Sequence, residues 1–194
     1  MYLIDTQPQI SSATNLVKPA LNDAQRMPVT PDILKPLNAP PIAPGSIVDF
    51  WHKAVRIQRN HFVHKSLSDW SCNIAVGCSH GCKFCYVPDI SAKFQKRPLK
   101  DRYGIDDPDA QWGDYVLLRP FDEAQILRDI RAAENRPLSE LSPDGHRAVM
   151  LCTTTDAYQT VTAPDKHLQK RLNTERAHMV RRILELIRDH STLN

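Results

Sequence analysis

The chain has no apolar run approaching the roughly eighteen residues of a membrane span. Its first residues, Met1-Tyr2-Leu3-Ile4-Asp5, carry neither the basic start nor the apolar stretch of a secretory signal. Charge of one sign is scarce: the net charge is +3 over 194 residues, too small by itself to argue for nucleic acid, which stays possible but not indicated. There are five cysteines, three of them in one tight loop, and this spacing is not a disulfide framework. No internal repeat is evident. These absences point to a cytoplasmic protein with reduced thiols and no membrane association. What is present, 41% hydrophobic and 24% charged residues, suits one soluble globular domain with irregular parts.

Three segments are expected. Residues 1–45 hold eight of the fifteen prolines. Proline removes a donor and fixes φ, so this stretch reads as an irregular arm, a plain linker before a partner-binding one. Residues 46–69 are a basic and aromatic lead-in, with His52, Lys53, Arg56, Arg59, His61, His64 and Lys65 among Phe50, Trp51, Val55, Ile57, Phe62 and Val63. It reads as a short helix or a strand pair covering the start of a core, and such a stretch can also touch phosphates.

From residue 70 to 194 strands and helices alternate. Ser71 to Val76 reads as one buried strand feeding into Gly77 and the cysteines, Ile90–Lys96 as a short helix, and 101–113 as a polar loop. Tyr115–Arg119 is a second strand, and Asp122 caps the helix after it. Ala148–Cys152 is a third strand, and Asn173 or Thr174 caps a final helix with Met179, Val180, Ile183, Leu184, Leu186 and Ile187 on one face. This order indicates an α/β fold with parallel strands, in which sites form at strand C-terminal ends.

The chemistry concentrates in Gly77-Cys78-Ser79-His80-Gly81-Cys82-Lys83-Phe84-Cys85-Tyr86. Thiolates suit iron–sulfur clusters and zinc alike. Clusters that only carry electrons are usually held by four cysteines, so three leave one iron open. For zinc, Cys78, His80, Cys82 and Cys85 would form the set, although His80 lies in a cramped three-residue gap. A zinc-binding module that recognises a partner or nucleic acid is therefore the alternative.

The Cys-x3-Cys-x2-Cys spacing with Phe84 before the third cysteine resembles the radical S-adenosylmethionine (radical SAM) enzymes. With Cys152-Thr153-Thr154-Thr155-Asp156-Ala157-Tyr158-Gln159 downstream, it looks like their spore photoproduct lyase-like branch. The resemblance implies a 4Fe-4S cluster on Cys78, Cys82 and Cys85, with SAM on the open iron. SAM would be cleaved reductively to a 5′-deoxyadenosyl radical, fed by an electron donor such as ferredoxin or flavodoxin. Phe84 and Tyr86 would lie along the adenine, and Thr155 and Asp156 would contact SAM. The same residues read equally as packed aromatics and a turn cap. The branch's hydrogen-donating cysteine position holds Thr153. Cys152, one residue earlier on a strand, should face away from the site, so the resemblance does not extend to lesion repair, and Cys72 and Cys152 read as small buried hydrophobes. The fold implied is the first βα units of a partial (β/α) barrel. A chain ending at Ser191-Thr192-Leu193-Asn194 is then expected to be truncated and to cleave SAM poorly. The motif does not name a substrate.

Overall fold

A computed structural model describes residues 46–60, 68–143 and 146–193. The expected proline-rich arm lies outside the described residues, as do His61 to Lys65 of the lead-in. The strands are β1 (Ile47–Phe50), β2 (Ile57–Arg59), β3 (Trp70–Cys72), β4 (Ala75–Gly77), β5 (Tyr115–Leu118) and β6 (Val149–Met150). The helices are α1 (Val87–Phe94), α2 (Lys96–Tyr103), α3 (Glu123–Glu134) and α4 (Lys166–His190), with a 3-10 turn at Leu138–Glu140.

Two three-stranded sheets form, ordered β1-β5-β4 and β2-β3-β6. Pairing is mixed: β1 runs parallel to β5 and β3 parallel to β6, whereas β4–β5 and β2–β3 are antiparallel. The architecture is mixed α/β, and among the described residues the strands do not close into a barrel. The lead-in supplies strands, but β1 and β2 join different sheets instead of pairing with each other.

The expected single strand through Val76 is broken in two at Asn73. Trp70–Cys72 pairs with β2, and Ala75–Gly77 then pairs with β5. Asn73 leaves the ladder because its amide is used elsewhere. Oδ1 accepts from the backbone N–H groups of Thr153 (2.8 Å) and Thr154 (2.9 Å), and Nδ2 donates to Thr153 Oγ1 (2.9 Å). A short polar side chain that satisfies backbone donors so far along the chain competes with strand continuity.

Residues 96–103 are helical where a polar loop was expected to begin at Asp101. Leu99 is fully buried, and Tyr103 stacks on Trp51 at 5.1 Å while donating to the Phe50 carbonyl. Gly104, at φ +69°, terminates this helix in the left-handed conformation that glycine adopts without a Cβ penalty. The expected cap of α3 is present: Asp122 accepts from Gln125 N–H at 3.1 Å.

Helix α4 begins earlier than expected. Asp165, just after Pro164, caps it by accepting from Leu168 N–H at 2.6 Å. Asn173 lies inside the helix and clamps the preceding loop, accepting from Val161 N–H and donating to Val161 O. Leu172, Met179, Val180, Ile183, Leu186 and Ile187 are buried, each worth about 2 kcal/mol of apolar burial. Leu184, expected on that face, is 46% exposed.

One polar knot ties α3 to the start of β2. Asp129, 5% exposed, accepts from Arg56 Nε and an Arg56 terminal nitrogen, from Ile57 N–H at 3.0 Å and from Gln125 Nε2 at 2.8 Å. Asp129→Ala strands a buried backbone donor and unpairs Arg56, so it is expected to cost about 3 kcal/mol. Urea denaturation followed by circular dichroism checks this, and a shift under a third of that size would mean the knot is dispensable.

Candidate functional site

Glycine positions start the site. Gly77 ends β4 at φ +87°, and the chain turns directly into Cys78. Gly81, at φ +55°, brings the loop's backbone against Gly113: a Cβ there would sit 3.2 Å from Gly113 Cα. Cys78 is buried, and Cys82 and Cys85 are half-buried. Burial pushes the Cys78 thiol up, with backbone hydrogen bonds opposing it.

A cavity of about 240 Å³ brings together Cys78, Cys82, Cys85 and Tyr86 from the loop with Thr155 and Asp156 from the segment after β6; His80 lines it too. Phe84 does not: it is 93% exposed and outside the cavity wall. The two segments follow strands of different sheets, not neighbouring parallel strands. Side-chain bridges span that gap. Thr155 Oγ1 donates to Gly77 O (2.7 Å) and accepts from Gln159 Nε2 (2.7 Å). Gln159, 1% exposed, accepts from Ser79 N–H at 2.8 Å. The Tyr86 hydroxyl donates to Thr153 O at 2.7 Å. Asn73 carried no motif, and Gln159, at the end of the Cys152–Gln159 stretch, was given no role; only their bridging shows it.

The remaining hydrogen-bonding capacity is limited. The Thr155 hydroxyl has one lone pair uncommitted. Asp156 Oδ1 accepts from Tyr158 N–H at 2.7 Å, the turn-cap arrangement, while Oδ2 lies 3.5 Å from His80 Nδ1. Asp156 is therefore both a turn former and a carboxylate at the cavity wall.

Cys152 corrects an expectation. It lines the cavity together with Thr153 rather than facing away. Strand β6 ends at Met150, so alternation no longer governs residue 152. Burial raises its thiol to about 12, which keeps it protonated at neutral pH. Cys72 is fully buried, as expected of a small hydrophobe. Trp112, also in the wall, had no sequence signal marking it. Among the described residues no three His, Cys, Asp or Glu side chains converge as a single metal ion requires.

Comparison with known proteins adds little. No family model matches, and no solved structure matches. A 67-residue stretch is 45% identical to the uncharacterized protein ORF301 of Acidianus two-tailed virus, covering 34% of this chain and 21% of the viral protein. The chain thus spans about a fifth of the length of the curated relative it matches. Among the described residues no helix is long and apolar enough to cross a membrane.

Proposed function

We propose that this is a radical SAM iron–sulfur protein of the spore photoproduct lyase-like branch, with a partial (β/α)-barrel core. Cys78, Cys82 and Cys85 would hold a 4Fe-4S cluster and leave its fourth iron to SAM. The observation that carries the reading is the shared cavity, lined by the three thiols together with Thr155 and Asp156. Three cysteines at this spacing suit a cubane cluster, which takes each thiolate on its own iron, whereas zinc would need His80 as a fourth donor around one point.

When bound and reduced by a ferredoxin- or flavodoxin-like donor, the cluster supplies the electron that splits SAM into methionine and a 5′-deoxyadenosyl radical. The residues of this chain position and shield. Asp156 Oδ2 and the free lone pair of Thr155 offer acceptors for the SAM ammonium. The ring of Tyr86, tethered through its hydroxyl to Thr153 O, offers an apolar wall to the adenine.

Anaerobic reconstitution with iron and sulfide should give a brown protein with about four irons per chain. Adding SAM to the dithionite-reduced protein should change its electron paramagnetic resonance signal. A colourless chain that takes one zinc instead overturns the proposal in favour of the zinc module.

A further inference from the structure

A second, larger hollow of about 560 Å³ contains none of the cysteines. Lys53, Arg56 and Arg119 line it, with Gln58 and, from the start of α3, Asp122 and Gln125. Its charges are unevenly compensated. Arg56 is held by Asp129 at 2.7 Å. Asp122, the carboxylate in the wall, caps α3 and lies 3.9 Å from Arg128. Lys53 and Arg119 have no carboxylate partner among the described residues. Arg119 Nε is buried without a hydrogen-bond partner, and the guanidinium lies 6.0 Å from the centre of the Trp51 ring, which holds it in place. Enclosing a guanidinium with an orphaned donor is costly unless something pairs with it.

We infer that this hollow binds the terminal phosphate of a small ligand. Two uncompensated cations match a dianionic phosphomonoester. Guanidinium N–H groups pair with phosphate oxygens in a fork, and an ammonium adds a point charge. The charges sit in the wall of a hollow, not along a face, which suits a terminal phosphate better than an extended nucleic-acid backbone. Burial lowers the Arg119 pKa from its ordinary value, in keeping with a cation awaiting a counter-charge. Asn73 lines this hollow while its amide holds Thr153 in the wall of the cysteine cavity. A ligand anchored here would therefore lie beside that cavity. The inference does not depend on a cluster.

The test is titration calorimetry of the cofactor-free full chain with inorganic phosphate, repeated with a short single-stranded oligonucleotide. Saturable one-site phosphate binding is expected. Lys53→Gln, at an exposed position, and Arg119→Gln should each weaken it about tenfold, with unchanged circular dichroism. Absence of saturable phosphate binding overturns the inference, as does affinity unchanged from the native chain in both variants. Tighter binding of the oligonucleotide, lost in the same variants, would also overturn it by making a nucleic-acid backbone the ligand.

Discussion

Replacing Gly77 with alanine is expected to destabilise the protein by about 4 kcal/mol, the sum of a positive-φ penalty and a backbone collision. A Cβ at Gly77 would lie 2.2 Å from Tyr115 O and 2.5 Å from the Tyr115 ring. Neither can retreat easily. Gly77 pairs with Val116 in the β4–β5 ladder, and the Tyr115 side chain is 1% exposed in the core. Gly104→Ala is the control. It shares a positive φ, +69°, but nothing lies within 4 Å of its would-be Cβ, so only the conformational penalty of about 1 kcal/mol applies. Urea midpoints of the two variants should differ clearly. Equal midpoints would mean that β4 and β5 separate freely and that the turn into Cys78 is not rigid.

The second large effect concerns iron. With Cys78, Cys82 and Cys85 all changed to alanine, reconstituted iron should fall from about four per chain to none. Cys72→Ala should leave loading intact, because that thiol is fully buried away from the cavity. Cys152→Ala is the sharper control. Cys152 lines the cavity but stands outside the Cys-x3-Cys-x2-Cys set, so its loss should leave about four irons per chain in place. Iron retained by the triple variant would sink the cluster assignment. Iron lost from Cys152→Ala would show that a fourth sulfur takes part and that no iron is left open for SAM.

Features set by neighbours in sequence were legible. Gly77 before Cys78, Asp122 before α3, and the apolar run of β5 each act within a few residues, where spacing carries the information. Features set by distant partners were not. Nothing near Asn73 predicts the break between β3 and β4, because the groups that hold its amide lie in residues 153–154. The start of α4 was misplaced because its first turns, Lys166-His167-Leu168-Gln169-Lys170-Arg171, are mostly polar. The apolar face becomes regular only from Met179, although Pro164-Asp165 was a readable start signal. In the site, the cysteines and the Thr155-Asp156 pair were found through their motifs. Trp112 and Gln159 were missed because each acts through a contact to a distant segment. The exposed Phe84 shows the reverse: a motif residue whose side chain the cavity does not use.

The bridges from Asn73 to Thr153 and from Ser79 to Gln159 each span 80 residues of chain. Such long-range pairings form late, after the loops they close have been drawn in. During synthesis the thiols of Cys78, Cys82 and Cys85 therefore emerge from the ribosome well before the wall that shelters them exists. In that interval they are open to oxidation, and the growing chain is also at its most accessible to whatever machinery delivers iron and sulfide.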